Sequence, residues 1–279
     1  MTILVTGARG QVGRAVIDRL HTAGLPVRAA TADPSALELP AGVDRAEWRD
    51  DPETLTAALK DVREVFLYAN PATIDAILTA ATRAGVEHAV LLSSGAAGHP
   101  GAAENFIGSR HLVVENALAA SGLEVTALRP GGFASNSFSW IPAVTSGQPI
   151  EHPYPEASQT LIHPLDIADL AVSALTGGEP RGRTVTLSGP EAVSFRAQVT
   201  QLGAALGREI PLVTIDPGRA RAQMIRTMPP EIADSLLTYW AASLDHPETI
   251  DDTTATLLGV PARTYAQWAR DNIAAFTPH

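Results

Sequence analysis

The feature that most constrains this chain is a set of three glycines near its start. Gly7, Gly10 and Gly13 lie between a β-branched run and a segment whose apolar residues recur at helical spacing. The first glycine permits a tight turn, the second lets a ligand approach the backbone, and the third lets the helix pack close to the strand. The order of strand, turn and helix is the context that this spacing requires. We therefore predict a dinucleotide site here, against the alternative of a mere tight turn.

The start of the helix after this turn presents unpaired amides, and its positive end favours phosphate. The residues expected to hold the coenzyme at this turn are Gly7, Arg9, Gly10, Gln11, Val12 and Gly13.

Two kinds of residue near the second strand leave the choice between NADP and NAD open. An acidic residue there suits the ribose hydroxyls, and an arginine suits a 2′-phosphate. Asp33 lies at about the right distance, but before Pro34 it is typical of a helix cap. Arg9 and Arg28 are either ligands of the 2′-phosphate or solvated surface charges. Together they give a slight preference for NADPH.

Short β-branched runs alternate with helical patterns over the first two-thirds of the chain. This alternation is typical of βαβ units. We predict an α/β fold, a doubly wound parallel sheet of the Rossmann type with a smaller, mostly helical C-terminal substrate domain. The predicted strands are Ile3 to Thr6, Val27 to Thr31, Ala46 to Trp48, Val62 to Tyr68, His88 to Leu92, Glu124 to Leu128 and Thr184 to Leu187. Predicted helices follow the glycine turn and cover Pro71 to Ala84, Asn105 to Ala120 and His163 to about Leu175.

The pattern changes after Pro130, where glycines and prolines interrupt any long element. We predict that residues 1–135 and about 160–190 form the NAD(P)-binding domain. Residues 136–159 and 191–279 are expected to form the smaller substrate or partner domain.

Charge and residue usage exclude several classes of function. The chain has 20 Lys+Arg against 30 Asp+Glu, which disfavours nucleic acid as a direct partner. It has no cysteine, so disulfides, thiolate metal sites and a cysteine nucleophile are excluded. The histidine spacings predict no metal site. No apolar run approaches a membrane span and a strand begins right after Met1, so we expect a cytoplasmic protein without membrane contact. A homodimer is left open.

Several further motifs occur in a fixed order along the chain. With the glycine turn, they make nearly the whole chain resemble the NmrA-like branch of the atypical short-chain dehydrogenases. That branch includes quinone and triphenylmethane dye reductases and nucleotide-sensing regulators. The motifs are Leu91-Leu92-Ser93-Ser94, His111-Leu112-Val113-Val114-Glu115, Leu128-Arg129-Pro130-Gly131-Gly132-Phe133 with Asn136, His163-Pro164-Leu165-Asp166-Ile167-Ala168 and Leu187-Ser188-Gly189-Pro190.

The Tyr-x-x-x-Lys pair of the classical short-chain dehydrogenases is missing from this sequence. Lys60 is the only lysine, and Thr56 stands four residues before it. In the pair, the lysine lowers the tyrosine pKa so that the phenol protonates the alkoxide that hydride transfer leaves. Simple carbonyl reduction is therefore disfavoured. A quinone or extended conjugated acceptor relaxes the requirement, because the arriving hydride gives a delocalised anion.

Three polar residues are candidates for chemistry. Ser93 and Ser94 follow a predicted strand, where ligands of doubly wound sheets bind; they either contact nicotinamide or acceptor, or bond a turn. His111 and Glu115 lie four apart on one helix face, where the carboxylate could orient the imidazole. His111 is the predicted proton donor, with a simple surface pair as the alternative.

Two further sets of residues are candidates for binding, each with a plain structural alternative. Asn70, Gly131 and Phe133 follow predicted strands and are expected near the ribose and nicotinamide, unless they only shape loops. Phe138, Trp140 and Tyr154 are expected to line an apolar substrate pocket, unless they are ordinary packing.

Three functions fit the sequence. The first is an NAD(P)H-dependent reductase of a small conjugated acceptor such as a quinone or polycyclic aromatic compound. The second is a non-catalytic NAD(P)-sensing regulator, and the third is a tailoring enzyme of aromatic natural products.

Overall fold

The computed structural model of the chain describes residues 2–246 and 248–277. Its strands are β1 Thr2–Val5, β2 Val27–Thr31, β3 Asp44–Glu47, β4 Val62–Tyr68, β5 His88–Leu92, β6 Glu124–Pro130, β7 Ile150–His152, β8 Ser158–Gln159, β9 Thr184–Leu187, β10 Val193–Ser194 and β11 Leu212–Thr214. Its α-helices are α1 Gln11–Thr22, α2 Pro52–Ala58, α3 Ile74–Ala84, α4 Phe106–Ala119, α5 Ile141–Thr145, α6 Pro164–Leu175, α7 Phe195–Leu206, α8 Pro217–Met224, α9 Pro230–Ala242, α10 Thr253–Leu258 and α11 Tyr265–Asp271.

The chain divides into two compact units. The first unit runs up to Pro130 and includes Pro164–Leu187, and the second comprises Gly131–His163 and the chain from Ser188 onward. Within the described ranges, none of the helices is long and apolar enough to cross a membrane.

The first unit is built on one parallel sheet. Among the described residues, seven strands pair in the order β3-β2-β1-β4-β5-β6-β9, and every pair is parallel. Strand order reverses where β1 lies beside β4, which is the switch point at which ligands of such sheets bind. The predicted doubly wound α/β fold is confirmed.

Helix α1 buries one face against this sheet because its apolar residues recur every three or four positions. Val12, Val16 and Leu20 are each at most 2% exposed, whereas Arg14 and Asp18 form an ion pair on the outer face. The helix therefore has little freedom to rotate, and its first turn keeps a fixed place beside the end of β1.

The structure differs from the predictions at two helices. Helix α2 lies between two predicted strands, as the βαβ pattern requires, but its bounds were not predicted; it is capped by Asp51, whose carboxylate accepts from the Thr54 amide at 2.8 Å. Helix α3 begins at Ile74 and not at Pro71. The reason is Asn70, whose side chain and carbonyl accept from the Ala72 and Thr73 amides and form a turn instead.

A buried charged network ties the amino ends of the central strands together. His88 on β5 is fully buried and contacts Glu64 on β4 at 2.5 Å and Thr126 on β6 at 2.9 Å. Arg181 approaches the same carboxylate at 3.2 Å. Because each charge has partners, the network avoids the penalty of an isolated buried ion. It lies at the opposite edge of the sheet from the glycine turn.

The second unit has an aromatic core and two small sheets. In one sheet β7 pairs with β11 in parallel, and in the other β8 pairs with β10 antiparallel. The core rings include Tyr265, Trp268 and Phe276, each at most 1% exposed. Helix α11, which carries two of them, begins with a full capping box from Thr264.

His152, at the end of β7, is buried among aromatic rings of this unit. Its ring stacks on Phe195 at 3.6 Å between centroids and lies 4.8 Å from Trp240. Nδ1 accepts from the Tyr154 amide at 3.1 Å, which assigns the ring proton to Nε2. Burial lowers the pKa of His152 to about 4, so the ring is neutral at neutral pH.

We expect His152 to make the second unit less stable in acid. The unfolded ring titrates at its ordinary pKa of 6.5 and the folded ring at about 4. The unfolded state therefore binds more protons between these values, and stability falls as pH drops through this window. The loss is up to about 3 kcal/mol in the free energy of unfolding, measured by urea unfolding at pH 7, 6, 5 and 4.

The variant His152→Phe keeps an aromatic ring but cannot titrate, so we expect a smaller loss of stability between pH 6.5 and 4. His99→Phe is the matched control, because His99 is exposed, and it should keep the wild-type slope. An unchanged slope in His152→Phe would contradict the assignment.

Candidate functional site

The glycine turn lies where β1 ends and α1 begins. Gly7 has φ +64°, a conformation that residues with a side chain rarely adopt. A Cβ at Gly13 would lie 2.4 Å from the Gly7 carbonyl oxygen, so only glycine allows the helix to approach the turn this closely. The sequence-based interpretation of these two glycines agrees with this geometry.

Two backbone donors at the start of α1 have no partner. The Gly10 amide donates to the Gly7 carbonyl at 2.8 Å, and Gly10 has no side chain with which to cap the helix. Among residues 2–246 and 248–277, no group accepts from the Gln11 and Val12 amides. Free amides at the positive end of a 12-residue helix suit a phosphate group. The turn therefore fits the diphosphate of a dinucleotide.

Tyr68, which sequence reasoning missed, lies across this turn. It is the last residue of β4, and its backbone amide donates to Thr6 Oγ1 at 3.1 Å, while that hydroxyl donates to the Phe66 carbonyl at 2.9 Å. A Cβ at Gly7 would lie 2.2 Å from Tyr68 Cε2. The Gly13 amide donates to the Tyr68 hydroxyl at 3.3 Å. The available signal was a tyrosine at the end of the strand beside β1.

Arg9 and Asp33 lie near each other beside the turn. Arg9 is exposed, and Asp33 caps the following turn, as predicted, by accepting from the Ser35 amide and hydroxyl at 3.1 and 2.6 Å. The Ser35 side chain chiefly lowers the pKa of Asp33, and the charge of Arg9 adds a smaller effect in the same direction.

Arg28 lies away from the glycine turn, and the Asn70 side chain already has a hydrogen-bond partner. Arg28 is at the amino end of β2, where its guanidinium donates to the carbonyls of Ala58 and Lys60 at 2.7 and 2.8 Å. It therefore lies at the edge of the sheet opposite Gly7. Asn70 is exposed after β4, and its side chain is used in the turn before α3.

A buried cluster at the same carboxyl edge joins β5, β6 and α4. Ser93 follows β5, is 4% exposed and donates from its hydroxyl to Glu115 Oε1 at 2.5 Å. Arg129 on β6 binds both carboxylate oxygens of Glu115, at 2.9 and 2.5 Å. Leu92, just before Ser93, pairs with Tyr68 in the sheet. Strand β4 therefore separates the cluster from the glycine turn at the end of β1.

The charges of this cluster fix what Ser93 can do. Burial raises the pKa of Glu115, but hydrogen bonds from Arg129 and Ser93 outweigh it and lower the pKa overall. Glu115 is therefore ionised at neutral pH and accepts the Ser93 proton in a hydrogen bond. The lone pairs of the Ser93 oxygen remain to accept a bond from a ligand N–H or O–H.

Ser94 and His111 each have a backbone partner. Ser94 caps the 3₁₀ helix Gly95–Gly98 by accepting from the Ala96 amide at 3.2 Å, which is the turn alternative. His111 Nδ1 donates to the Ile107 carbonyl at 2.8 Å. A backbone carbonyl, and not the neighbouring Glu115, therefore orients the ring. Nε2 is the nitrogen left to carry a transferable proton.

Gly131 and Phe133 belong to the second unit. The loop after β6 is held by its own unit, because the Ile162 amide donates to the Gly132 carbonyl at 2.8 Å and the Ala134 amide to the Ile162 carbonyl at 3.0 Å. Phe133 also forms a parallel bridge with Ile162. The backbone path of these two residues is thereby fixed.

The three aromatic residues expected in a pocket are all packed within the second unit. Phe138 meets Trp268 edge-on, with 5.1 Å between centroids, and stacks on Phe276 at 5.9 Å. Trp140 lies edge-on to Phe195 at 6.5 Å, and Tyr154 packs beside Trp240 and its neighbours. All three are therefore partly buried and keep partly exposed faces.

The first unit brings together two groups of functional residues. One is the glycine turn with Tyr68, and the other is Ser93 with Glu115 and Arg129. Arg28 and Lys60 lie at the opposite edge, so the chain's only lysine is not at this site.

Comparisons with known proteins agree with this geometry. Residues 7–177 match the NAD(P)H-binding family. The (4-alkanoyl-5-oxo-2,5-dihydrofuran-3-yl)methyl phosphate reductase of Streptomyces griseus subsp. griseus is 37% identical over 99% of both chains. The NAD(P)H azoreductase of Xenophilus azovorans is 34% identical over 98% of this chain and 99% of its own.

A solved structure shows the same fold. The NADPH-dependent quinone oxidoreductase QOR2 of Escherichia coli, complexed with NADPH, superposes with a TM-score of 0.79 at 22% identity, over 97% of this chain and 99% of its own. The resemblance to NmrA-like reductases and the predicted class of NAD(P)H-dependent oxidoreductase are confirmed. On its matching residues and its relatives, the chain belongs to the NAD(P)H-binding family.

Proposed function

We propose that this protein reduces a small conjugated acceptor, such as a quinone or polycyclic aromatic compound, with NADH or NADPH. The observation that carries the proposal is the pair of free amides at Gln11 and Val12, set in a glycine turn at the switch point of the sheet. Such a turn holds the diphosphate of a dinucleotide. Because the nicotinamide is linked to the diphosphate through a ribose, holding the diphosphate also limits where the nicotinamide lies. When bound, the reduced nicotinamide supplies a hydride.

Residues of the chain itself position the coenzyme and the acceptor and supply the proton. Ser93, whose proton is engaged by Glu115, accepts a hydrogen bond from the carboxamide or from a hydroxyl of the acceptor. Arg129 keeps Glu115 ionised and thereby keeps Ser93 in this role. His111 is the proton donor, and it acts through Nε2 because Nδ1 donates to the Ile107 carbonyl.

The absence of a lysine at this edge favours a conjugated acceptor over a simple ketone. A localised alkoxide needs a strong proton donor beside it, whereas a delocalised anion survives until water or a modest acid protonates it. The names of the two relatives support this class. One substrate is an unsaturated lactone whose C=C bond is conjugated to carbonyl groups, and the other is an azo compound.

We infer a preference for NADPH from Arg9, an exposed cation in the turn that can meet a 2′-phosphate. The second unit, Gly131–His163 and the chain from Ser188 onward, contributes acceptor recognition through the partly exposed faces of aromatic residues such as Trp140 and Tyr154.

A non-catalytic NAD(P) sensor is the second candidate, favoured by the commitment of the Ser93 proton to Glu115. A sensor binds oxidised and reduced coenzyme with unequal affinity and consumes neither.

The test is a titration of the purified protein with NADH and NADPH, followed by a panel of acceptors. We expect loss of absorbance at 340 nm that depends on at least one quinone, conjugated enone or azo compound, with no turnover of an isolated ketone. NADPH is expected to bind more tightly than NADH. Tight coenzyme binding without acceptor-dependent loss would favour the sensor.

We expect Glu115→Gln to lower kcat by roughly tenfold or more, because neutral glutamine leaves Arg129 unpaired and loosens Ser93. KM for the coenzyme should change little, since the diphosphate contacts are at the turn. Stability should fall by about 1–3 kcal/mol. Glu87→Gln is the matched control, because Glu87 is 64% exposed. A large change in KM with kcat unchanged would contradict this positioning role.

We expect His111→Ala to slow turnover by about 10² while the affinity for NADPH stays unchanged. The measurement is steady-state kinetics beside calorimetric titration of the coenzyme. Asn116→Ala is the control, since Asn116 is exposed on the same helix. Wild-type rates in His111→Ala would remove the histidine from the proton pathway.

A further inference from the structure

The side chain of Tyr68 lies against all three glycines of the turn. Its ring atoms lie 2.2–2.8 Å from where a Cβ of Gly7 would be, and its hydroxyl oxygen lies 2.9 Å from where a Cβ of Gly10 would be. The Gly13 amide donates to that oxygen at 3.3 Å. All three glycines of the motif therefore face the same phenol.

The position of this phenol is fixed independently of any ligand. The Tyr68 amide donates to the Thr6 hydroxyl. The Phe66 ring meets the Tyr68 ring edge-on, with 5.8 Å between the ring centroids and 86° between the ring planes. The ring cannot move toward the turn, because the glycine backbone already fills that side.

The hydroxyl of Tyr68 has an unused proton. Its oxygen accepts from the Gly13 amide, and no acceptor for the O–H is found between residues 2 and 246 or between 248 and 277. The side chain is 36% exposed, so the proton can meet a ligand. Burial raises the pKa of Tyr68 more than the Gly13 hydrogen bond lowers it. The phenol is therefore protonated at neutral pH and is a donor.

The Gln11 and Val12 amides, which have no partner among the described residues, belong to the same first turn of α1 as the Gly13 amide that the phenol contacts. Three donors then converge on the start of α1: two amides and one phenol. An anion held by the amides lies within reach of the phenol, and a hydrogen bond to a charged oxygen is stronger than one between neutral groups.

We propose that Tyr68 is a ligand of the coenzyme diphosphate. Its hydroxyl oxygen accepts from the Gly13 amide, and its hydroxyl proton is donated to a phosphate oxygen. This rests on the proposed function, in that the turn binds a dinucleotide. It gives the motif a side-chain donor in addition to its backbone donors, at a residue whose type the glycine spacing does not specify.

The test compares wild type with Tyr68→Phe, which keeps the ring and removes only the hydroxyl. Calorimetric titration uses NADPH and ADP-ribose, the second of which has the diphosphate but no nicotinamide. We expect the affinity of both to fall by about tenfold. Tyr239→Phe is the matched control, because its hydroxyl binds Glu248 within the second unit, and it should bind both ligands as wild type does. Thermal unfolding of each variant confirms that it is folded.

Three results would overturn the proposal. Unchanged affinity in Tyr68→Phe would make the phenol a packing group only, and increased affinity would make it a cover that the coenzyme must displace. A loss confined to NADPH, with ADP-ribose unaffected, would place the contact away from the diphosphate. Failure of the wild type to bind either ligand would instead refute the proposed function, so the two failures are distinct.

Discussion

The close approach of Gly13 to the Gly7 carbonyl is the contact on which the rest of this site depends. With 2.4 Å between that oxygen and the place of a Cβ, no other residue lets α1 start so near the end of β1. The buried face of α1 packs against the sheet, so the free amides at the start of the helix have fixed positions. A phosphate site made of backbone atoms needs this rigidity, because amides cannot be moved by choosing another rotamer. The parallel sheet is the surface on which α1 packs, and the switch point between β1 and β4 is where a ligand can reach the amides.

The Ser93 cluster shows how a buried charge is used without a lysine. Glu115 is ionised because Arg129 grips both of its oxygens, and the pair would be costly if either partner were removed. Its effect is to orient the Ser93 hydroxyl. The serine proton is donated to the carboxylate, and the oxygen lone pairs are left to accept from a ligand. In the classical pair a cation makes a phenol more acidic, whereas here a cation neutralises an anion that orients a hydroxyl. The first arrangement suits an acceptor that becomes a localised alkoxide and needs a proton at once, and the second suits an acceptor that becomes a delocalised anion.

Much of the fold follows from local pattern, and much of the site does not. The β-branched runs predicted the strands of the central sheet because buried parallel strands need such residues, and the glycines predicted the turn because its backbone needs them. The bounds of helix α2 were not predicted because the helix is short, although Asp51-Pro52 is a start signal. Arg28 was assigned to the coenzyme by its residue type, whereas its place as second residue of β2 sends it to the amino edge. Tyr68 had no pattern of its own, since its role depends on β4 lying beside β1, which only the topology reveals.

The place of Lys60 has a practical consequence. It is the chain's only lysine, it is exposed, and it precedes β4 at the edge opposite the glycine turn. A succinimidyl reagent therefore finds a single side-chain amine, at the opposite edge of the sheet from the groups that we propose as coenzyme ligands. Coupling through it would tether the protein to a resin or a biosensor chip with the opening of the turn directed away from the support.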